Sequence, residues 1–173
     1  LLLAREVGKT LPEAVAEATR AGQTFKFFAG EAMRGGGENM ASLRAGVQVD
    51  VTREPVGVAG LITPWNSPLA VPATKIAPAL AHGNSVVFKP SELVPACGWA
   101  LAEIISRAAL PAGTFNLVMG SGREVGQAMV DSAGVDAISF TGSVATGEQI
   151  LHAATRRRAK VQLEMGGKNP LLV

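Results

Sequence analysis

The sequence contains a single cysteine, Cys97, and no tyrosine among its 173 residues. One cysteine can form neither an internal disulfide nor a thiolate metal cage, and this usage favours a reducing compartment, so we expect a cytoplasmic protein. The aromatic complement is only six phenylalanines and two tryptophans, which is too little for a surface that stacks nucleic-acid bases. No apolar run reaches the length of about 18 residues that a membrane-spanning helix needs.

Charge is also scarce and nearly balanced. Charged residues make up 17% of the chain, and the net charge is +2 with both histidines neutral. A charge this small gives no basic footprint for nucleic acid, so we expect neither a nucleic-acid nor a membrane partner. Apolar residues, at 47%, provide ample material for a hydrophobic core and exclude a disordered chain.

Neither end of the chain looks like the natural end of a folded domain. The chain starts at Leu1 instead of a methionine and finishes in the apolar run Pro170-Leu171-Leu172-Val173. A domain that ended within a strand would leave an open sheet edge, so we interpret the chain as part of a longer protein. The alternative is a processed domain with a natural terminus at that point.

Residues 1–53 predict helices followed by an exposed strand. Thr10 followed by Pro12 is typical of a helix start. Apolar residues then recur at spacings of three and four, which indicates an amphipathic face: Val15, Ala18, Ala21, Phe25 and Phe28. Glycines at 35–37 interrupt the helix, and valines alternate with polar residues over 47–51, as in an arm strand with one face in water.

From Glu54 onward, strands and helices alternate. Residues 56–62 are continuously apolar, as in a strand that is buried on both faces of a parallel sheet. Later strands are predicted at 84–88, 115–119, 137–140 and from 160, with helices at 97–109, 124–131 and 144–157. The alternation predicts an α/β fold with a doubly wound parallel sheet over residues 54–173. Such sheets bind ligands beyond the carboxyl ends of their strands, so the candidate loops are 63–68, 89–92, 120–126, 141–143 and 164–169.

Two of these loops contain glycines between a strand and a helix. Residues Gly120 to Gly126 read Gly-x-Gly-x-x-x-Gly, one residue longer than the dinucleotide fingerprint, and alone fit an ordinary glycine-rich turn equally well. In the string Phe140-Thr141-Gly142-Ser143, Gly142 permits close backbone approach to a ligand. Ser143 can hold an anion together with the free N–H groups of the helix start, or can simply cap the helix.

Two other loops carry isolated polar side chains. Lys89 can donate hydrogen bonds to ribose hydroxyls and Glu92 can accept them, and a carboxylate in that position favours the 2′-hydroxyl of NAD over a 2′-phosphate. The alternative is a surface ion pair worth about 0–1 kcal/mol. Pro64 stiffens the loop that presents Asn66, whose amide suits oxyanion stabilisation, although a lone asparagine is more commonly a turn residue.

Glu164 ends the last apolar strand and is followed by Gly166 and Gly167. Two glycines allow rotation and close approach, so the Glu164 carboxylate can swing towards a substrate as a general base. The alternative is a strand-ending turn with a solvated glutamate.

Taken in order, four strings resemble the NAD(P)-dependent aldehyde dehydrogenase superfamily: Pro64-Trp65-Asn66, Phe88-Lys89-Pro90-Ser91-Glu92, Phe140-Thr141-Gly142-Ser143 and Glu164-Met165-Gly166-Gly167-Lys168. The resemblance covers the chain from Glu54 onward, and the amino-terminal segment is compatible with it. Around residues 75–80 and 163–167 the chain is most similar to semialdehyde-oxidising members of the ketoglutarate-semialdehyde type.

The resemblance implies roles for the matching residues. Asn66 corresponds to the amide that stabilises the thiohemiacetal oxyanion, and Glu164 to the general base that activates water for thioester hydrolysis. Met165 replaces a commoner leucine, a swap that conserves volume. The implied cofactor is NAD, with NADP as the alternative, and the implied cofactor-binding residues are Ile62, Thr63, Pro64, Trp65, Lys89, Ser91, Glu92, Gly122, Gly126, Phe140, Thr141, Gly142, Ser143, Met165 and Gly166.

The family's nucleophilic cysteine lies beyond the Glu-x-Gly-Gly string, past Val173. Cys97 has no counterpart in that pattern, and a lone cysteine in an apolar helix is most often a small hydrophobe. His82 and His152 have no metal-ligand spacing, so no metal is expected.

The resemblance therefore implies oxidation of an aldehyde, expected to be a semialdehyde, to a carboxylic acid by a homodimer or homotetramer. One alternative is a CoA-acylating or acyl-phosphate-reducing relative, against which Glu164 argues because those reactions avoid thioester hydrolysis. The other is a dinucleotide-binding module without catalysis.

Overall fold

The structure is a computed structural model that describes residues 1–167. The amino-terminal part comprises helices α1 (Leu2–Val7) and α2 (Leu11–Ala32) and strands β1 (Glu38–Ala41) and β2 (Gln48–Val51). The following strands are β3 (Val58–Ile62), β4 (Ser85–Lys89), β5 (Phe115–Leu117), β6 (Ala137–Gly142) and β7 (Lys160–Met165). The helices between them are α3 (Ala70–Ala81), α4 (Pro95–Ser106), α5 (Gln127–Asp131) and α6 (Val144–Arg156), with a π-helical turn at Gly122–Gly126 immediately before α5.

Strands β3 to β7 form one parallel sheet in the order β5-β4-β3-β6-β7. The chain winds outward from β3 to β5 and then returns to lay β6 on the other side of β3. This arrangement confirms the predicted doubly wound α/β fold. Because all five strands run the same way, their carboxyl ends share one edge of the sheet, and the winding reverses between β3 and β6.

Each face of this sheet carries its own hydrophobic core, as expected for strands covered by helices on both sides. On one face, the buried side chains come from the strands, α3 and α4: Leu61, Ile76, Val86, Phe88, Leu101 and Ile105. On the other face they come from the strands, α5, α6 and nearby turns: Met129, Val130, Val135, Ile138, Phe140 and Ile150.

The prediction of which residues of α2 are buried is partly wrong. Val15 and Ala18 are exposed, whereas Ala14, Glu17 and Ala21 are buried. Glu17 points inward because its Oε1 atom accepts hydrogen bonds from the backbone N–H groups of Leu69 and Ala70, at 3.0 and 3.2 Å. These groups begin α3, which has no side-chain cap of its own, so a carboxylate from α2 satisfies them.

Other boundaries differ for local reasons. The exposed strand predicted at 47–51 is β2, and it pairs antiparallel with β1, which the sequence pattern does not reveal. Helix α3 also goes unpredicted, because it contains Pro72 and Pro78, residues that usually interrupt a helix. Within the described residues, no helix has the length and apolar character required to cross a bilayer.

Candidate functional site

A cavity of about 430 Å³ opens where the winding of the sheet reverses. Its floor is Ile62 at the carboxyl end of β3, and its walls come from the π-helical turn, α5 and the first turns of α6. The lining residues are Ile62, Gly122, Arg123, Gly126, Gln127, Val130, Thr146, Gln149 and Ile150. Doubly wound sheets bind their ligands at this position, and Gly122 and Gly126 are the predicted residues that line the cavity together with Ile62.

The π-helical turn accounts for the unusual glycine spacing. The backbone N–H of Gly126 donates to the carbonyl of Ser121, five residues earlier, at 3.2 Å, and Val125 donates to the same oxygen at 3.0 Å. A π turn holds one residue more than an α turn, so it accommodates the extra residue in Gly-x-Gly-x-x-x-Gly. The predicted helix start at 124 is therefore wrong: the chain is already wound at Gly122, and the Ser121 hydroxyl caps the turn by accepting from the Glu124 N–H at 3.1 Å.

Lys89 ends β4 as a buried cation beside this cavity. A Cβ atom at position 126 would lie 3.7 Å from the Lys89 Cδ atom, so the lysine stem runs directly past Gly126. The Lys89 ammonium donates to the carbonyl of Pro90 at 3.0 Å. Burial lowers the pKa of Lys89, and the exposed carboxylate of Glu92 partly offsets this effect. The two residues thus interact electrostatically in the loop that also holds the half-buried Ser91.

The loop after β3 is tied to the loop after β4. The backbone N–H of Thr63 donates to the carbonyl of Lys89 at 3.3 Å. The Thr63 hydroxyl is buried and has no hydrogen-bond partner among residues 1–167. Pro64 is half-buried, while Trp65 and Asn66 are exposed to solvent.

The start of α6 faces the same cavity through Thr146. Ser143 caps the helix: its hydroxyl accepts from the Thr146 N–H at 3.3 Å and lies 2.9 Å from the Thr146 hydroxyl. A Cβ atom on Gly142 would collide with the ring of Phe140. Close approach at Gly142 therefore serves internal packing, and the half-buried Thr141 lies on the opposite face of the sheet.

Met165 and Gly166 lie at the carboxyl end of β7 and are exposed. A Cβ atom on Gly147 of α6 would collide with the sulfur of Met165, so Met165 covers the first turn of that helix. The predicted loop 164–169 is described only as far as Gly167; Lys168 and Asn169 lie outside the described residues.

The two predicted catalytic side chains stand at one edge of the sheet without touching. Asn66 follows β3, Glu164 lies near the end of β7, and β6 separates the two strands. On the α3 side of β7, Gln162 donates to the Glu164 carboxylate at 2.7 Å. A second cavity, of about 560 Å³, lies on this face between α3, β6 and β7.

Lys75 is the residue of this second cavity that sequence reasoning missed. It projects from α3, is only 7% exposed, and donates to Ser139 at 2.7 Å and to Gln162 at 3.1 Å. Burial lowers its pKa to about 8, and the Glu164 carboxylate partly offsets the shift. The available signal was a lone cation within the stretch 69–81, where Thr74 is the single other polar residue, and such a cation suggests a buried partner.

Cys97 lines neither the cavity beside Ile62 nor the cavity beside Lys75. It is 1% exposed at the start of α4, and burial, followed by the neighbouring Glu6 carboxylate, raises the pKa of its thiol to about 12. A nucleophilic cysteine needs an exposed, electropositive setting and a lowered pKa, so the Cys97 environment is that of a structural residue.

The fold and its cavity define a class: a doubly wound α/β domain with a glycine-lined ligand crevice at the point where the strand order reverses. The chain belongs to the aldehyde dehydrogenase family, whose family model matches residues 1–173.

Individual relatives are similar over nearly the whole chain. The chain is 48% identical over 170 residues to an alpha-ketoglutaric semialdehyde dehydrogenase of Bacillus subtilis, covering 98% of this chain and 35% of that protein. It is 44% identical to a betaine aldehyde dehydrogenase of the same organism, covering 97% and 34%. The structure of betaine aldehyde dehydrogenase from Staphylococcus aureus in complex with NAD+ matches with a TM-score of 0.94 and 43% identity, covering 98% of this chain and 34% of that one. The chain thus spans about a third of the length of the relatives that it matches.

Proposed function

We propose that the chain is the cofactor-binding part of an aldehyde dehydrogenase that oxidises an aldehyde to a carboxylic acid with NAD(P)+. Residues 54–173 form the dinucleotide-binding unit, and residues 1–53 supply amino-terminal helices and an arm strand. The remaining catalytic parts, including the nucleophilic cysteine, come from outside this chain. Two findings support this assignment: the chain belongs to the aldehyde dehydrogenase family, and it aligns with only about a third of the length of its relatives.

The observation that carries the proposal is the arrangement at one edge of the sheet. The glycine-lined cavity opens where the winding reverses between β3 and β6, Asn66 follows β3, and Glu164 lies one residue before the end of β7 at the same edge. An amide donor and a carboxylate at the sheet edge where a dinucleotide crevice opens are groups that aldehyde oxidation through a thioester requires.

Several features in the cavity and in the loops beside it fit a dinucleotide. The Thr63 hydroxyl is buried at this edge with no partner in the described part of the chain, and a ligand can satisfy it. Gly122 has open space where a Cβ atom would stand, which leaves room for close approach to its backbone. Lys89 keeps N–H donors for ribose hydroxyls, with Glu92 as an acceptor, while Ser143 and the start of α6 suit a pyrophosphate. When bound, NAD(P)+ supplies the hydride acceptor.

The chain contributes two catalytic side chains. The Asn66 amide donates a hydrogen bond to the substrate oxygen on which negative charge develops when the carbonyl is attacked. The Glu164 carboxylate takes a proton from the water that hydrolyses the thioester. Cys97 is excluded as the nucleophile by its burial and by its raised thiol pKa of about 12.

The substrate we propose is a semialdehyde, supported by the 48% identity to an alpha-ketoglutaric semialdehyde dehydrogenase. The protein is a homodimer or homotetramer in the cytoplasm, where its buried, unpaired cysteine suits a reducing environment. A comparison of kcat/KM across semialdehydes, simple aldehydes and betaine aldehyde tests the substrate class.

The test of the mechanism is Glu164→Gln in the full-length enzyme. An amide cannot accept a proton from water, whereas the earlier attack needs only a thiolate, so the pre-steady-state burst of NADH should survive and steady turnover should fall. Glu54→Gln, an exposed acid outside the cavities, is the matched control and should change neither. Equal loss of burst and steady turnover would show that Glu164 acts earlier or is structural.

A further inference from the structure

A polar cluster on the α3 side of the sheet connects a buried lysine to Glu164. Strand residues alternate between faces, and the register pairs Ser139 with Gln162 and Thr141 with Glu164. These four side chains therefore share the face that α3 covers, where Lys75 descends from the helix onto Ser139 and Gln162.

The hydrogen bonds of this cluster have a fixed direction. An ammonium group can only donate, so the end of the Gln162 amide that faces Lys75 must be its oxygen, Oε1, at 3.1 Å. The Ser139 hydroxyl accepts from Lys75 at 2.7 Å and donates to the same Gln162 oxygen. With its oxygen held from two sides, Gln162 must turn its NH₂ group to the other side.

The NH₂ group of Gln162 meets the Glu164 carboxylate at 2.7 Å. A carboxylate can only accept, so the hydrogen bonds run in one direction: Lys75 donates to Gln162, and Gln162 donates to Glu164. The cavity of about 560 Å³ on this face leaves open space beside Glu164. The Gln162 amide thus holds one orientation of a side chain that has room for others.

We propose that Gln162 is a positioning residue for Glu164, oriented by Lys75 and Ser139 so that its amide N–H holds the ionised carboxylate ready at the end of β7. The proposal rests on the proposed function of Glu164 as the general base. No described side chain of this cluster other than Lys75 and Glu164 is charged, and Lys160, two residues before Gln162 on β7, is exposed.

The experiment uses the full-length enzyme with Gln162→Met, which keeps the length of the side chain but removes its three hydrogen bonds, to Lys75, Ser139 and Glu164. The expected result is a steady-state rate lower by about three- to tenfold with an unchanged NADH burst, since one hydrogen bond to a charged group at an exposed site is lost. Loss of the donor also favours the protonated carboxylic acid, so the acid limb of the steady-state pH–rate profile should move to higher pH. Gln48→Met, on the exposed strand β2, is the control and should change neither quantity.

Ser139→Ala tests whether Ser139 affects Glu164 through Gln162. Ser139 contacts Lys75 and Gln162 but not Glu164, so its removal should shift the same acid limb by a smaller amount, and the shift should disappear in the Gln162→Met background. An unchanged pH–rate profile in Gln162→Met, or an equal loss of burst and steady rate, would overturn the positioning role even if Glu164→Gln behaves as proposed. If Glu164→Gln itself leaves steady turnover intact, the proposed base fails and the positioning role fails with it.

Discussion

The Glu6 carboxylate of α1 accepts the backbone N–H of Cys97 at 2.8 Å and that of Ala96 at 2.7 Å. Both N–H groups belong to the first turn of α4, which has no side-chain cap of its own. Glu6 therefore caps a helix about 90 residues away in the sequence. The same carboxylate adds to the burial that raises the pKa of the Cys97 thiol to about 12, so one acid both stabilises the helix and suppresses the thiolate.

Cys97 should be unreactive while the protein is folded. At pH 8 we expect a thiol reagent such as 5,5′-dithiobis(2-nitrobenzoate) to label it at least about a hundredfold more slowly in buffer than in denaturant, because the thiolate is disfavoured and access requires opening. The absorbance of the released thiol follows both rates on residues 1–173, in which Cys97 is the single cysteine. Comparable rates in the two conditions would contradict the buried placement.

Glu6→Gln should lower the free energy of unfolding by about 1–2 kcal/mol, because it weakens two charge-assisted hydrogen bonds at a helix N-terminus. Urea unfolding followed by circular dichroism measures the change. Glu103→Gln is the matched control, since it only removes a surface ion pair with Arg107, worth about 0–0.5 kcal/mol. Equal effects of the two substitutions on the free energy of unfolding would mean that the Glu6 cap stabilises the fold no more than a surface ion pair does.

Glu92→Gln should improve the use of NADP relative to NAD in the full-length enzyme. A carboxylate at this loop accepts hydrogen bonds from ribose hydroxyls and repels a 2′-phosphate, and Lys89, which is close enough to interact with Glu92, becomes free to attract that phosphate. The ratio of kcat/KM for the two cofactors, compared between wild type and variant, measures the effect. An unchanged ratio would show that Glu92 does not select the cofactor.

Lys75 should make the stability of the fold depend on pH in the alkaline range. Burial lowers the pKa of Lys75 from 10.5 to about 8. Between these two values the unfolded chain holds a proton that the folded chain has lost, so the free energy of unfolding rises with pH through this group; below pH 8 both states are protonated and the full penalty of burying the ammonium remains. Lys75→Met should abolish this rise.

Urea unfolding at a series of pH values from about 7 to 10.5 tests the Lys75 prediction over the range in which its proton uptake differs between the two states. Lys26→Met, on the exposed side of α2, is the control and should keep the wild-type slope. If the free energy of unfolding changes with pH equally in Lys75→Met and in wild type, a group other than Lys75 causes the pH dependence.

The sequence alone predicted the sheet because its strands obey local rules. A short continuous apolar run such as 56–62 is typical of a strand covered on both faces. Its regular alternation with helices then favours a doubly wound parallel sheet. Strand ends then identify the site loops, so Asn66, Lys89 and Glu164 could be singled out from their positions after apolar runs. Their roles at that edge remain predictions.

Tertiary structure decided the features whose partners lie far apart in the sequence. Glu17 is not among the apolar residues that predict the buried face of α2, yet it is buried because it accepts from backbone N–H groups of α3 more than 50 residues away. The glycine spacing after β5 became interpretable only through the π turn that absorbs the additional residue. Lys75 gained significance only when α3 placed it over Ser139 and Gln162, because local sequence encodes backbone preference and burial, whereas hydrogen-bond partners are set by how the elements pack.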